Sequence, residues 1–290
     1  MNIAVLSRGE QLYSTQSLLK AGLKQGHEME VLDPSLCTFS VEDGKPKLYY
    51  CNEIVDDLDA VIPRIGASNT YYGTSMVRHL EAMGVFCAVN AEPILQSRNK
   101  WTCFQILSKA NIAIPKTVLG NTYDVEATLA NFGGAPVIIK LLQGTHGHGV
   151  ILAETDASAL STIETLKAIK SRFVIQEFIA ESDGADLRAI VVDGVVVASM
   201  KRQSKDGDFR SNLHRGGSSE IIQLTQEEER LAIRAARALR LGVCGVDILQ
   251  SNRGPLILEV NSTPGLEGIE TTTGINISKR IISYIERNKK

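Results

Sequence analysis

Hydrophobic and polar positions alternate differently in different parts of the chain. In the first third, short apolar runs are separated by helical patterns. Strands are predicted at "NIAVLS", "MEVLD", "DAVIPRIG" and "VFCAVN", and helices over about residues 14–25 and 72–83. Strands that alternate with helices predict a small parallel α/β unit with helices on both faces of its sheet.

The pattern changes near residue 95, where we place a domain boundary. A helix over about residues 97–110 leads into "IPKTVLG" and a short helix. Strands are predicted at "APVIIKLL", "VILAE" and "FVIQEFI", with another helix over about residues 156–169. We expect residues 96–180 to form one α+β lobe.

The last third has the pattern of an antiparallel sheet. Asp193-Gly194 closes a predicted hairpin in "LRAIVVDGVVVASMKRQ", because this dipeptide is a strong hairpin signal. A helix follows, with Thr225 as its N-cap, Glu228 as the capping-box partner and Gly242 just past its end. A second hairpin, "CGVDILQSNRGPLILEVN", precedes a final helix that begins near Ile277.

Composition restricts the class of protein. Of 290 residues, 43% are hydrophobic and 22% charged, and the net charge of −2 gives no basic field for nucleic acid. No apolar run approaches the roughly 20 residues that span a bilayer, and the first residues lack the pattern of a signal peptide. Five cysteines without a C-x-x-C pair indicate reduced packing residues in a cytoplasmic protein.

The segment "GPLILEVNSTPGLEG" combines a buried-strand pattern with Glu259 and Asn261 on one face. We predict that a five-residue loop, Ser251–Pro255, closes this hairpin, with Gly254 supplying a positive φ or a bulge. In that register Asp247 lies directly opposite Glu259. The residues expected to point into the core are Val246, Ile248, Leu258 and Val260.

Asp247, Glu259 and Asn261 would form an oxygen-rich site on the hairpin. Two carboxylates side by side repel, so a cation should lie between them. Oxygen ligands without histidine or cysteine suit Mg²⁺ or Mn²⁺ rather than zinc. The alternative is a salt-bridged hairpin in which Arg253 or another basic residue neutralises the acids. Spacing alone does not separate the two hypotheses.

A lysine and a glycine-rich loop form a second candidate site. Lys140 ends the strand "PVIIK", and the loop "QGTHGHG" follows it. Glycines let backbone N–H groups approach an anion, and the ammonium adds a point charge. The lysine precedes the glycines, so this is not a Walker A loop, and the opening "SRGEQLYS" is not a dinucleotide fingerprint. His146 and His148 fit exposed turn residues better than a metal pair, and no role is assigned to them.

Two further segments carry unusual polar residues. Gln176 and Glu177 interrupt the strand "VIQEFI", whose end could bind the edge of a purine while Phe178 covers its face. An edge strand that turns into solvent would explain the same pattern. The loop "DFRSNLHRGG" could hold negative oxygens, or could be an ordinary solvated loop. Its basic and amide residues are Arg210, Asn212, His214 and Arg215.

In chain order these features are a lysine, a glycine-rich loop, a purine-binding strand, a cationic loop and the pattern D…E-x-N. This order resembles the ATP-grasp superfamily. The strings "LSRGEQLYS", "VIPRIG", "GDFRSNLHRGG" and "NRGPL…EVNSTPGLEGIE…TTGI" resemble the RimK-type ligases, and the resemblance covers nearly the whole chain. It implies an ATP-grasp fold, both α/β and α+β. Residues 1–95 would be a Rossmann-like pre-ATP-grasp domain, 96–180 the central lobe with the glycine-rich lid loop, and 181–290 the carboxyl-terminal lobe.

The resemblance also implies roles for single residues. Lys100 and Lys140 match the lysines that reach the phosphates of ATP. The other candidate nucleotide contacts are Gly144, Gly147, Gln176, Glu177, Phe178, Asp186, Arg210, Ser211 and Asn212. The implied metal ligands are Asp247, Glu259 and Asn261. The candidate catalytic arginines are Arg202, Arg210 and Arg215, and the candidate substrate-binding arginines are Arg64, Arg202 and Arg215, each of which could instead make a surface ion pair.

The implied reaction is the ATP-dependent addition of L-glutamate to the C-terminus of a small-subunit ribosomal protein (number six). It would pass through an acyl phosphate, release ADP and phosphate, and use ATP with two Mg²⁺ or Mn²⁺ ions. Two alternatives remain: a ligase of the same architecture acting on a small acid or peptide, and a nucleotide-binding regulator without turnover. We expect further copies of the chain, in a dimer or tetramer, as partners, but neither a membrane nor direct nucleic-acid binding.

Overall fold

Four β-sheets organise the computed structural model of the chain, which describes residues 1–142, 149–205, 209 and 216–289. Two hydrophobic cores support them. The larger core joins the amino-terminal sheet to the carboxyl-terminal sheet, and the smaller one lies within the central sheet. Among the described residues, no helix has the length and apolar character needed to cross a membrane.

The amino-terminal part contains a parallel sheet, as its sequence pattern predicts. Strands β1–β7 are Asn2–Leu6, Glu28–Leu32, Cys37–Glu42, Lys45–Tyr50, Glu53–Val55, Ala60–Pro63 and Phe86–Cys87, and helices α1 and α2 are Tyr13–Lys24 and Thr70–Ala82. The parallel sheet has the order β2-β1-β6-β7. Its central strand β1 is fully buried from Ile3 to Leu6, as is typical of parallel strands whose crossover connections cover both faces.

Strands β3, β4 and β5 form a small antiparallel sheet that the sequence analysis missed. The turn between β3 and β4 is Asp43-Gly44, and both residues have positive φ, 51° and 73°. An Asp-Gly turn between two strand-like runs is a hairpin signal. The same signal that located the Asp193-Gly194 hairpin was therefore present here.

The helix predicted over residues 97–110 is two helices in the structure, α3 (Ala91–Arg98) and α4 (Lys100–Lys109). The break is at Asn99, whose side chain accepts a hydrogen bond from the backbone N–H of Thr102 at 3.1 Å. An asparagine in this role satisfies a free donor of the first turn and starts a new helix. The break places Lys100 at the first position of α4.

The central lobe is an antiparallel sheet with the order β10-β9-β11-β8. Strands β8–β11 are Thr117–Leu119, Val137–Leu141, Val150–Ala153 and Phe173–Glu177, and helices α5 and α6 are Val125–Phe132 and Asp156–Ala168. Apolar residues of both helices and of strands β9 to β11 form the smaller core. The strands predicted here are confirmed.

The carboxyl-terminal lobe is a five-stranded antiparallel sheet with the order β14-β13-β12-β15-β16. Strands β12–β16 are Ala185–Val192, Val195–Gln203, Ser218–Ile221, Val243–Ser251 and Gly254–Asn261, and helices α7–α9 are Gln226–Ala238, Glu267–Thr273 and Ile277–Asn288. The Asp193-Gly194 turn is confirmed, with φ of 54° and 72°. The capping box of Thr225 and Glu228 is confirmed as well.

Gly242 has a different role from the predicted end of helix α7. The positive φ after this helix belongs to Arg240, at 54°. A Cβ on Gly242 would lie 2.2 Å from the hydroxyl oxygen of Tyr284 and 3.0 Å from the carbonyl oxygen of Ala88. Glycine is therefore needed there for the close approach of helix α9 and the amino-terminal part.

The five cysteines are all free thiols. Cys37, Cys87, Cys103 and Cys244 are buried, which confirms the packing role predicted for them, whereas Cys51 is exposed.

Candidate functional site

The carboxylate hairpin brings Asp247 and Glu259 directly opposite each other, as predicted, but by a different route. The turn between β15 and β16 contains two residues, Asn252 and Arg253, rather than five. Such a turn alone would move Glu259 out of register with Asp247. A bulge between Asp247 and Ile248 restores the match, because it adds one residue to one strand of the pair. Gly254 has the predicted positive φ, 100°.

The bulge also changes which residues of the hairpin face the core. Val246, Ile248 and Val260 are buried, as predicted. Leu258 is only half-buried, contrary to the prediction, and Ile257 takes its place in the core with no exposed surface. The alternation of a regular strand fails at the bulge, so the outward and inward sides are exchanged there.

Asp247 is the centre of a buried ion-pair network. Arg188, its cross-strand neighbour on β12, donates from Nε and Nη2 to its two carboxylate oxygens at 2.8 and 2.7 Å. Arg202 adds a contact of 2.9 Å from Nη2 to Oδ2. Burial opposes the charge of this carboxylate, but the two guanidinium groups outweigh burial and lower the pKa of Asp247 to about 2.

Arg202 also binds Asp186, which lies opposite it on the neighbouring strand. The guanidinium donates to both oxygens of Asp186, at 2.7 Å from Nε to Oδ1 and by a second bond from Nη2. The two residues are 4% and 3% exposed, so Arg202 is already balanced by carboxylates of the protein. The predicted contacts of Arg202 with substrate and of Asp186 with nucleotide stay predictions. In the structure both residues stabilise the sheet under the site.

Glu259 differs from Asp247 because it is exposed and makes no ion pair with any residue that the structure describes. Asn261 is half-buried, and its side-chain oxygen accepts a hydrogen bond from the backbone N–H of Thr263 at 2.9 Å. The described part of the chain has no cluster of three or more His, Cys, Asp or Glu side chains suited to a metal.

The donor chemistry of these three side chains nevertheless fits Mg²⁺. Oδ1 of Asp247 keeps a lone pair beyond its bond from Arg188, whereas Oδ2 already faces both arginines. Glu259 adds a carboxylate that has no ion pair among the described residues. Mg²⁺ commonly uses one or two carboxylates and completes its shell with water and substrate phosphates. The arginine pairs of Asp247 also mean that the salt-bridge alternative holds for one of the two acids, through Arg188 and Arg202 rather than Arg253.

Lys140 lies near the carboxylates at the end of strand β9. Its Nζ donates to Oε1 of Gln176 at 2.5 Å, and Nε2 of Gln176 donates to Oγ1 of Thr117 at 2.9 Å. Burial lowers the pKa of Lys140 to about 8, although Glu259 and Asp247 favour its charge and Lys100 opposes it. Lys100, Lys140 and Glu259 are thus close enough to share one electrostatic field, and Gln176 orients the ammonium.

Glu177 is held by the turn of the carboxylate hairpin. Arg253 donates from Nη1 and Nη2 to its two carboxylate oxygens at 2.8 and 2.5 Å, and the backbone N–H of Lys116 donates to it at 3.0 Å. Asn252 adds a backbone bond to Glu181 at 3.0 Å. We call this contact the clasp, since it joins the central lobe to the carboxyl-terminal lobe. Phe178, the residue after Glu177, is half-buried.

Several predicted site residues lie outside the described part of the chain. They are Gly144, His146, Gly147, His148, Arg210, Ser211, Asn212, His214 and Arg215. The roles predicted for the glycines and the cationic-loop residues stay predictions, as does the interpretation of His146 and His148 as turn residues without an assigned role.

The structure adds residues that the sequence analysis did not select. Arg188 and Thr117 carry bonds within the site. Arg188 could have been found from its position two residues after Asp186, because the two lie on one face of strand β12. Arg64, a predicted substrate-binding residue, directly follows strand β6 and makes no side-chain ion pair with any described residue.

Comparison with known families gives two matches that together span almost the whole chain. The RimK-like ATP-grasp domain matches residues 97–285, and the RimK PreATP-grasp domain matches residues 1–94. Proteins of Hydrogenovibrio crunogenus and Marinobacter nauticus, both named "Probable alpha-L-glutamate ligase", are 49% and 50% identical to this chain. Each alignment covers 100% of this chain and 97% of the relative.

Solved structures with the same fold are more distant in sequence. The ATP-grasp ligase PsnB complexed with a minimal precursor is 20% identical, with a TM-score of 0.78 over 99% of this chain and 98% of that one. PsnB with a phosphomimetic precursor variant, Mg and ADP is also 20% identical, with a TM-score of 0.77 over 100% and 98%. A RimK domain protein from Sphaerobacter thermophilus is 19% identical, with a TM-score of 0.72 over 99% and 100%. The ATP-grasp fold predicted from the sequence is confirmed.

Proposed function

The chain belongs to the RimK-like ATP-grasp family, and from this premise we propose that it joins L-glutamate to a carboxylate as an α-L-glutamate ligase. It is an ATP-dependent ligase that forms a C–N bond. The proposed acceptor is the C-terminal carboxylate of the sixth protein of the small ribosomal subunit. Assembly into a dimer or tetramer, location in the cytoplasm and the domain limits 1–95, 96–180 and 181–290 remain predictions.

The observation that carries the proposal is the pairing of Asp247 with Glu259 in one electrostatic field with Lys140, in a chain that matches named ligases along its whole length. The ammonium of Lys140, held by Gln176, places a positive charge beside these carboxylates, which suits the phosphate oxygens of a nucleoside triphosphate.

In the first step, an oxygen of the acceptor carboxylate attacks the γ-phosphorus of ATP. The bond between the γ-phosphorus and the β,γ-bridging oxygen breaks, which gives an acyl phosphate and ADP. Phosphoryl transfer depends mainly on positioning and charge neutralisation. Lys140, held by Gln176, and Lys100 supply fixed positive charges for the phosphate oxygens.

In the second step, the amino nitrogen of glutamate attacks the acyl carbon. The C–N bond forms, the bond between carbon and the phosphate oxygen breaks, and the nitrogen loses a proton as inorganic phosphate leaves. The acyl phosphate must be protected from water until glutamate arrives. The clasp of Arg253 and Glu177 keeps the two lobes together at one side of the site.

The proposed ligands of the divalent ions are Asp247, Glu259 and Asn261. Two ions are proposed, and they are either Mg²⁺ or Mn²⁺. Bound there, such ions supply charge neutralisation at the phosphate oxygens.

The test uses the purified protein with ATP, Mg²⁺ and glutamate, together with the ribosomal protein or small carboxylic acids. We expect the intact mass of the ribosomal protein to increase in steps of one glutamyl residue and ADP to be released only when acceptor is present. An acceptor with an amidated C-terminus should not react. Mass increase on small acids alone would support the small-acid ligase, and nucleotide binding without ADP release would support the regulator.

A further inference from the structure

Arg64, in the amino-terminal part, carries a guanidinium that no carboxylate of the described residues neutralises. Its side chain is half-buried, and its Nε is buried without a hydrogen-bond partner in the described structure. No described carboxylate pairs with it. Burial lowers the pKa of Arg64 to about 10. Burial of a polar N–H without a partner is unfavourable, so this arginine, which has no carboxylate among the described residues, is suited to bind an anionic ligand.

The position of Arg64 in the sheet is one where ligands bind. In the order β2-β1-β6-β7, the chain leaves β1 for β2 on one side and places β6 on the other. Open α/β sheets bind ligands outside the carboxyl ends of the strands at such a switch point. Arg64 directly follows β6, and its backbone N–H donates to the carbonyl oxygen of Leu6 at the end of β1, at 2.9 Å.

The loop that follows Asn261 lies beside the segment of Arg64. Arg98 donates to the carbonyl oxygens of Ile65 and Gly66 and lies 3.4 Å from Oγ1 of Thr263, so it joins the Arg64 segment to this loop. The partners of Arg98 within the described residues are neutral carbonyl and hydroxyl groups, so none of them cancels its charge. Ser262, next to Thr263, has a buried hydroxyl that also lacks a hydrogen-bond partner in the described structure.

We infer that Arg64 is a specificity-determining residue that binds a carboxylate of the incoming amino acid, glutamate, in the crevice between strands β1 and β6 and the loop after Asn261. This inference rests on the proposed function and deepens it. Arg98 is a positioning residue, since its bonds fix the two segments that form the crevice.

The chemistry of the two substrates favours glutamate over the acceptor as the ligand of Arg64. Only the amine of glutamate reacts, so its two carboxylates stay ionised throughout the cycle. The acceptor carboxylate becomes an acyl phosphate and then an amide, and a fixed cation on it would stabilise the ground state without stabilising either of these later species. A fixed, partly buried guanidinium therefore suits a carboxylate that remains unchanged.

The test measures steady-state kinetics of Arg64→Met, Arg64→Lys and the matched control Arg78→Met, which changes an exposed arginine on helix α2. We expect the KM for glutamate to rise about 100-fold in Arg64→Met, since removal of one partner of a buried charge pair weakens binding strongly. In Arg64→Lys, which keeps the charge but loses the planar guanidinium, we expect the KM for glutamate to rise about tenfold. The KM for ATP should not change, and Arg78→Met should behave like wild type.

Substrate analogues identify which carboxylate is recognised. The α-amide of glutamate and glutamine each lack one carboxylate. Wild type should discriminate against the analogue that lacks the carboxylate bound by Arg64. Arg64→Met should lose this discrimination, whereas its selectivity between glutamate and the other analogue should equal that of wild type.

Two outcomes would overturn the inference. One is that wild type ligates glutamate but the KM for glutamate is unchanged in the Arg64 variants. The other is a rise in the KM for the acceptor instead of glutamate. If wild type ligates no amino acid to any carboxylate, the proposed function itself fails, which is distinguishable from both. Arg64→Met should unfold at the wild-type temperature or higher, because it removes a charge without a partner among the described residues, so its loss of binding would not reflect a loss of fold.

Discussion

Two arginines, Arg202 and Arg64, occupy opposite electrostatic environments in the same molecule. Arg202 lies in the carboxyl-terminal sheet between Asp186 and Asp247 and binds both carboxylates. Arg64 lies at the end of the amino-terminal sheet, where no described carboxylate accompanies it and its Nε has no described partner. One guanidinium is fully used by the protein, and the other is available to a ligand.

The comparison separates charges that build the site from charges that act in it. Asp247 and Glu259 repeat the same contrast on neighbouring strands, because Asp247 is held by two arginines and Glu259 makes no ion pair among the described residues. A balanced buried charge stabilises the fold only as part of its network. An unbalanced one lowers stability slightly and is kept where binding requires it.

The largest expected effect is on stability, in Arg202→Met. This change leaves Asp186 and Asp247 buried with a lost partner, which typically costs about 3–5 kcal/mol. Arg64→Met should leave the free energy of unfolding unchanged or raise it by about 1 kcal/mol, since a buried charge without a partner is removed. Denaturant unfolding of both variants measures this difference in stability. An equal loss of unfolding free energy in the two variants would contradict it.

The next effect is on catalysis, in Glu259→Gln. The exposed carboxylate supports no ion pair in the described structure, so stability should stay within about 0.5 kcal/mol of wild type. ADP release should fall by about 10²–10³, which corresponds to about 3–4 kcal/mol in the barrier. Glu126→Gln, a change of an exposed glutamate on helix α5, is the matched control. Near-normal ADP release in Glu259→Gln would show that this carboxylate is not part of the reaction.

A smaller effect is the pH dependence caused by Lys140. Its pKa of about 8 in the folded protein, against an ordinary 10.5, means that most of its charge is lost by pH 9. We expect the KM for ATP to rise about tenfold between pH 7 and pH 9, since each pH unit above the pKa removes about a factor of ten of the charged form. A flat KM over this range would contradict the proposed phosphate contact.

The same lysine makes a prediction about stability. Between about pH 8 and 10.5, the unfolded chain binds the proton that the folded chain has released. Stability from this group therefore rises with pH in that window. The free energy of unfolding of wild type relative to that of Lys140→Met should therefore increase across this window, measured by denaturant unfolding of both proteins at several pH values.

The smallest expected effect is that of the clasp. Arg253 is half exposed, at 51% of its side chain, so Arg253→Gln should cost only about 0.5–1 kcal/mol of stability. Release of Glu177 should raise the KM for ATP a few-fold, and added salt should reduce the difference from wild type. Arg253→Lys keeps the charge without the paired donors, so its stability and its KM for ATP should lie between those of wild type and Arg253→Gln. If Arg253→Gln lost as much stability as Arg202→Met, the exposure of Arg253 would not explain a difference between the two arginines.

Much of the candidate site could be predicted because strands impose a simple geometry. The positions of Asp247 and Glu259 on one face followed from their alternation with buried residues. The predicted loop was nevertheless wrong, and the two residues meet because a short turn and a bulge shift the register in opposite directions. Alternation cannot reveal two shifts that cancel. The small sheet β3 to β5 was missed although its Asp43-Gly44 turn carried a recognisable signal.

Patterns along the chain predicted most of the strands and helices, the hairpin turn at Asp193-Gly194 and the capping box of helix α7, since these depend on neighbours within a few residues, and long matching strings indicated the family. Which charges are balanced depends on the three-dimensional arrangement. The partners of Asp247 are 59 and 45 positions away along the chain, on strands β12 and β13. The environment of Arg64 likewise depends on the three-dimensional structure, because whether a charge has a partner depends on all the residues around it in space.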